Sequence, residues 1–66
     1  MQIVLNGKPE GIDEAATVTA LLERLKLQPV RVAVEVNEEL VPRKTFQSAR
    51  LRDGDRVEIV TLVGGG

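Results

Sequence analysis

Cysteine, histidine, tryptophan and tyrosine are all absent from these 66 residues. Without the first two, the chain has no disulfide, no thiol nucleophile, no imidazole acid–base group and none of the usual zinc ligands. The single phenylalanine leaves no aromatic platform for stacking single-stranded nucleic acid. The sequence also has no long apolar run and no basic leader. We therefore expect a cytoplasmic domain that binds neither nucleic acid nor membrane and is poorly equipped to catalyse a reaction alone.

The residues that are present suit one small globular domain. Hydrophobic residues make up 42% of the chain and charged residues 29%, which is too apolar for disorder. Nine Lys+Arg against ten Asp+Glu give a net charge of −1, so binding to a polyelectrolyte is not indicated. We predict a single domain over residues 1–63 and a flexible glycine tail over residues 64–66.

The start of the chain predicts a hairpin followed by a helix. Residues 2–5 read as a strand, Asn6-Gly7 as a tight turn, and residues 8–12 as an edge strand because Pro9 donates no hydrogen bond. Thr17 is a good N-cap. Apolar residues at positions 18, 21, 22 and 25 then predict a helix of about three turns, and Pro29 is expected to end either the helix or the turn that follows it.

The second half of the chain predicts further strands. Strict alternation over residues 31–36 indicates a strand, residues 37–39 a turn, and residues 40–41 a short strand stopped by Pro42. Residues 43–51 read as irregular with one short helical turn. Asp53-Gly54-Asp55 predicts a turn into a final strand over residues 56–63.

This order of elements predicts an α+β fold with one helix across one face of a mixed sheet of four to five strands. The order and length match the β-grasp, or ubiquitin-like, fold. Alternation predicts an inner face toward the helix that consists of Ile3, Leu5, Val32, Val34, Val36, Val57 and Ile59.

The opposite face of the sheet carries a candidate docking surface. If Val57 and Ile59 face the helix, alternation turns Arg56, Glu58, Val60 and Leu62 outward. In a β-grasp sheet the last strand lies between the first and the middle strand. We therefore expect one apolar patch that is flanked by Arg56 and formed by Val4, Ala33, Val60 and Leu62. The alternative is a set of scattered surface apolar residues, which is normal.

Three other features have both a chemical and a purely structural interpretation. Asp53 and Asp55 resemble a calcium fragment, but the turn interpretation is favoured because a full loop of oxygen ligands is missing. Glu38-Glu39 reads as solvated charge in a turn. Gly64-Gly65-Gly66 could thread a channel too narrow for any Cβ, or it could be a frayed terminus.

The whole chain resembles the ThiS family of sulfur carriers in thiamine (thiazole) biosynthesis. The resemblance covers the start Met1-Gln2-Ile3-Val4 with Asn6-Gly7, Thr17-Val18 with Leu21-Leu22, and Val32-Ala33-Val34-Glu35-Val36-Asn37. It continues through Val41-Pro42-Arg43 and the stretch Leu51-Arg52-Asp53-Gly54-Asp55-Arg56-Val57-Glu58-Ile59-Val60. It ends on Val63-Gly64-Gly65-Gly66. The one departure is Gly64, because the family needs only the final glycine pair.

The resemblance implies a carrier rather than an enzyme. An E1-like, ThiF-like adenylyltransferase would use ATP and Mg²⁺ to convert the C-terminal carboxylate of Gly66 to an acyl-adenylate. A sulfur-donor enzyme would supply the sulfur of a thiocarboxylate, and a ThiG-like thiazole synthase would accept it. Gly64 and Gly65 would thread the partner's channel, and the chain itself would bind no cofactor or metal.

Three alternatives to this interpretation share the fold. The small subunit of molybdopterin synthase has the same Gly-Gly end and thiocarboxylate chemistry. Another ubiquitin-like sulfur carrier or protein modifier would use the same terminus. A TGS-type module that binds nucleotide or RNA is less favoured, because aromatic residues are few and a Gly-Gly terminus would have no use there.

Overall fold

The computed structural model describes residues 1–62. Five strands are present in this part of the chain: β1 (Gln2–Leu5), β2 (Lys8–Gly11), β3 (Val32–Val36), β4 (Glu39–Leu40) and β5 (Arg56–Thr61). One α-helix, α1 (Val18–Arg24), lies between β2 and β3, and single 3₁₀ turns occupy Pro29–Arg31 and Arg43–Thr45. None of these helices has the length and apolar content that a membrane crossing needs.

The strands form one mixed sheet in the order β2-β1-β5-β3-β4. β1 is antiparallel to β2 and parallel to β5, while β5 is antiparallel to β3. The helix covers one face of this sheet. The predicted β-grasp architecture is therefore confirmed, including the place of the last strand between the first and the middle one.

The core lies between the helix and the inner face of the sheet. Its helical part is the buried stripe of Val18, Leu21 and Leu22, and its sheet part includes Ile3, Val32, Val34 and Val57. Leu5, Val36 and Ile59, also predicted for the inner face, are only partly buried against this core. The core also contains three buried residues outside the regular strands and helix, which periodicity did not identify: Ile12, Phe46 and Leu51.

The helix is shorter than predicted. The Thr17 hydroxyl caps its start by accepting a hydrogen bond from the Ala20 N–H at 3.1 Å, as expected. However, α1 has only seven residues, about two turns. Lys26 adopts a positive φ of 60°, and the N–H of Leu27 donates to the Leu22 carbonyl at 2.9 Å. This C-terminal cap ends the helix, so Pro29 is not the residue that stops it and instead begins a 3₁₀ turn.

Other boundaries differ from the prediction by one or two residues. β2 ends at Gly11, β3 begins at Val32, and β4 comprises Glu39 and Leu40. β5 ends at Thr61. Val63, predicted as the last strand residue, and the predicted tail over residues 64–66 lie outside the described residues.

Candidate functional site: the last strand and the open face of the sheet

Strand β5 occupies the centre of the sheet. On one side Leu5 pairs with Val57 in the parallel ladder to β1. On the other side the antiparallel ladder to β3 runs the length of the strand. One residue beyond the strand, the Leu62 N–H still donates to the Arg31 carbonyl at 2.7 Å. The chain is therefore held to the sheet as far as Leu62, two residues before the predicted tail begins at Gly64.

Two asparagines from the hairpin turns extend the backbone pairing of β5. The Asn6 amide accepts from the Ile59 N–H at 2.8 Å and donates to the Ile59 carbonyl at 3.3 Å. On the opposite side of β5, the Asn37 side chain accepts from the Arg56 N–H at 3.0 Å. Both asparagines have positive φ, 49° and 53°. The sequence identified Asn6 and Asn37 only within turns, since their contacts to β5 join residues far apart in the chain.

The face of the sheet opposite the helix is open. Along β5, Val57 is buried whereas Arg56, Glu58 and Val60 are exposed, as alternation predicts. Val60 is 59% exposed and Leu62 is 49% exposed, which are high values for large apolar side chains. This face therefore presents exposed apolar surface at the end of the described part of the chain.

The register divides the expected apolar patch into two parts. Ala33 lies directly opposite Val60 in the β3–β5 ladder, whereas Val4 lies opposite Arg56. Because Arg56 and Val60 are separated by about 13 Å along the strand, the charged side chains of Arg56 and Glu58 stand between Val4 and Val60. The expectation of one contiguous patch that includes Val4 is wrong. The reason is that β1 pairs with the beginning of β5.

The contiguous part of the surface extends instead toward β4. Leu40 is 67% exposed, and together with Ala33 and Leu62 it lines a groove of about 200 Å³ at this side of the sheet. We call the set Ala33, Leu40, Val60 and Leu62 the apolar corner. The sequence analysis missed Leu40. The signal that could have identified Leu40 is a large apolar residue in a short strand at the sheet edge. Burial is not required at that position, so an apolar side chain there indicates a surface contact.

Arg56 lies at the other end of the open face. It lines a hollow of about 380 Å³ together with Val4 and Glu58. Within residues 1–62, ion pairs join the Met1 amino group to Glu14 at 3.2 Å and Arg24 to Glu10 at 3.7 Å, and neither involves Arg56. Two carboxylates of this chain, Glu38 and Glu58, line the same hollow as Arg56.

The acidic residues have structural roles in turns. Asp53 accepts the Gln2 N–H at 2.8 Å, and Asp55 accepts the Arg52 N–H at 2.8 Å. Glu38 lies in the β3–β4 turn with a φ of 71° and is exposed like Glu39. Across residues 1–62, no three His, Cys, Asp or Glu side chains are grouped so that they could hold a metal ion. The turn interpretation of Asp53-Gly54-Asp55 is confirmed.

The tail residues Gly64, Gly65 and Gly66 lie outside the described part of the chain. Their predicted roles, in threading a channel and in carrying the reactive carboxylate, stay predictions. The structure does place Leu62, two residues before Gly64, in the apolar corner.

Comparison with known proteins gives a consistent result at the level of the whole chain. The ThiS family model matches residues 3–66. The sulfur carrier protein ThiS of Escherichia coli (strain K12) is 30% identical over 66 residues, which cover 100% of both chains. A thiazole synthase of Paramagnetospirillum magneticum is 41% identical over 66 residues. Those residues are 100% of this chain and 20% of that enzyme, so the chain spans only a fifth of its length.

The fold has a counterpart among solved structures. The crystal structure of the thiamine biosynthesis protein ThiS from Geobacter metallireducens superimposes with a TM-score of 0.86. The two proteins are 42% identical, and the alignment covers 100% of each chain. The β-grasp sheet, with its central last strand, is thus shared along the full chain.

Proposed function

This chain belongs to the ThiS family, and from that premise we propose that it carries sulfur on the carboxyl group of Gly66 for the synthesis of the thiamine thiazole. It is a sulfur carrier protein rather than an enzyme. The observation that supports this function best is the ThiS family match, which extends from residue 3 to Gly66 itself. The same match favours this function over a molybdopterin synthase subunit, a protein modifier or a TGS-type module.

The proposed chemistry takes place at the main-chain terminus. A carboxylate is a poor electrophile, so a partner adenylyltransferase first joins a Gly66 carboxylate oxygen to the α-phosphorus of ATP, and pyrophosphate leaves. The terminal sulfur of a persulfide then attacks the acyl carbon and displaces AMP. Cleavage of the resulting acyl disulfide by a thiol leaves the thiocarboxylate. The partner supplies Mg²⁺ and the electrostatic stabilisation of the transition state.

The side chains of this protein position the terminus, and the only reacting group that the chain contributes is the Gly66 carboxylate. The chain has no cysteine or histidine, which is consistent with sulfur carried by the backbone carboxyl group. The β3 pairing and the Leu62–Arg31 hydrogen bond hold the chain in the sheet just before the tail. We propose that Gly64 and Gly65 then let the tail enter a partner's active site, because no Cβ would collide with the channel walls.

Thiazole synthase is the proposed acceptor of the sulfur. Two thiazole synthases, from Paramagnetospirillum magneticum and Magnetococcus marinus, contain a segment that matches 100% of this chain and makes up 20% of their own length. A carrier and its acceptor that work on one product gain effective concentration when they share a polypeptide. This supports a direct contact between the present chain and a thiazole synthase.

The open face of the sheet is the proposed docking surface for these partners. The apolar corner includes Leu62, which is close in sequence to the predicted tail, and exposed apolar patches often mark interfaces. Arg56 would add a charge contact at the other end of the face and steer the encounter. Val4, although not part of the apolar corner, would contact the same partner next to Arg56.

Intact-mass measurement tests the proposed chemistry. The protein is incubated with the ThiF-like adenylyltransferase of the same organism, ATP, Mg²⁺ and a persulfide donor. We expect a mass increase equal to the replacement of one oxygen by sulfur, located on Gly66 by fragmentation. The variant that lacks both Gly65 and Gly66, and so has no terminal glycine pair, should fold normally and acquire no sulfur. Sulfur found on another residue, or no adenylation of the intact chain, would contradict the proposal.

A further inference from the structure

Strand β5 has an unpaired edge just before the predicted tail. β1 ends at Leu5, and the Asn6 N–H makes the last main-chain hydrogen bond from this side, to the Val57 carbonyl at 2.9 Å. Further along, the Asn6 side chain accepts a hydrogen bond from the Ile59 N–H and donates one to the Ile59 carbonyl. Past that point the hairpin turns away at Gly7, so no strand of residues 1–62 pairs with β5 on this side.

The hydrogen-bond pattern shows which residue is left without a partner. The backbone groups of Ile59 point toward the β1 side, and the Leu62 N–H points toward β3. Backbone direction alternates along a strand, so the N–H and C=O of Thr61 point toward the β1 side, opposite Asn6. Within residues 1–62 neither group has a hydrogen-bond partner.

The described residues leave the space next to this edge open. A Cβ built on Gly7, in the turn that bounds the gap, would have no atom of residues 1–62 within 4 Å. Thr61 is exposed, as are its neighbours Val60 and Leu62. The outer edges of the sheet are less suitable for pairing, since β2 contains Pro9 and β4 has only two residues.

We propose that an extended segment of thiazole synthase adds as a strand to this edge and exchanges main-chain hydrogen bonds with Thr61. This inference rests on the proposed function, which supplies the partner. One residue of an antiparallel strand could bond both the N–H and the C=O of Thr61. Such pairing recognises main-chain groups rather than side chains. It would also fix the direction in which the chain after Leu62 enters the enzyme.

Amide hydrogen exchange tests the pairing directly. In the free protein we expect the Thr61 amide to exchange fast, while the Val60 and Leu62 amides, which face β3, are protected. In a saturated complex with the thiazole synthase of the same organism, the Thr61 amide should become protected. A Thr61 amide that still exchanges fast in the saturated complex would overturn the pairing and leave the proposed function intact.

A matched pair of variants separates backbone pairing from simple burial. Thr61→Pro removes the N–H on the open side and leaves the β3 ladder unbroken, because proline is tolerated where a strand N–H faces outward. Thr61→Val keeps the N–H and removes only the hydroxyl. We expect Thr61→Pro to weaken binding to thiazole synthase about tenfold or more, and Thr61→Val to change it less than about threefold.

Each result of the binding experiment has a defined meaning. Tenfold loss for Thr61→Pro alone, with protected Val60 and Leu62 amides as evidence of folding, supports the added strand. Equal affinities for the two variants overturn it. If the unmodified chain does not bind thiazole synthase at all, the proposed partner is wrong and the inference fails with it, an outcome distinct from the other two.

Discussion

Substitution of Val60 by aspartate tests whether the apolar corner is the docking surface. Val60 is 59% exposed, and full burial of a valine side chain is worth about 1.5–3 kcal/mol. A partner that covers the exposed part therefore gains about 1–2 kcal/mol, which Val60→Asp removes. Burying an unpaired carboxylate costs a further ~1–3 kcal/mol. We expect the binding free energy to weaken by about 2–5 kcal/mol, which lowers the affinity about 30-fold to 4,000-fold.

The free protein should tolerate the same substitution. The Val60 side chain lies on the open face, away from the core, and its neighbour across the ladder is the small Ala33. The expected loss of unfolding free energy is at most about 1 kcal/mol, the range of strand propensities. Ala20→Asp is the matched control, since Ala20 is exposed on the helix, on the other side of the sheet, and adds the same charge.

The assay is calorimetric titration of each variant into thiazole synthase, with a urea unfolding curve measured on the same samples. Binding should weaken for Val60→Asp and stay within threefold of the original for Ala20→Asp. If folded Val60→Asp binds as tightly as Ala20→Asp, the apolar corner is not the contact surface.

Three further predictions address the core, the strand clamp and the tail. Leu22→Ala, at a position with 0% exposure, should lower the unfolding free energy by about 2–5 kcal/mol. Leu25→Ala should lower it by less, because Leu25 is only partly buried. Equal losses for the two variants in urea unfolding would contradict the helix orientation. Asn6→Gly keeps the positive φ but removes both side-chain hydrogen bonds to Ile59. We expect the unfolding free energy to fall by about 1–2 kcal/mol and the Ile59 amide to exchange faster. Unchanged exchange would show that these two hydrogen bonds do not stabilise the strand. Gly65→Val should slow adenylation more than it weakens docking, because a β-branched side chain stiffens the backbone and fills the channel. Single-turnover kinetics and binding measurements compare the two effects. Normal adenylation together with poor docking would refute the prediction.

Local physics explains what could be read from the sequence. The Thr17 cap, the helix stripe and the strand alternation follow from contacts within a few residues. These predictions are confirmed except for Leu25, which lies beyond the end of α1 and is only partly buried. The order of these elements then restricted the fold to the β-grasp, because one amphipathic helix and one sheet have few ways to bury their apolar faces together. The reactive role of Gly66 came only from the resemblance to a family, since a glycine carries no side chain to indicate chemistry.

The tertiary structure decided where the helix ends and which residues are neighbours across the sheet. The helix ends early because Lys26 adopts a positive φ, which the propensity of lysine gives no reason to expect. Val4 is separated from Val60 because β1 meets the beginning of β5.

The hydrogen bonds between Asn6 and Ile59 depend on where β1 ends beside β5. The same is true of the Thr61 backbone groups, which have no partner among residues 1–62. Alternation fixes the face on which a side chain lies, but not its neighbour on the next strand. That neighbour is set by pairing between distant segments, which becomes defined only when the whole sheet packs against the helix.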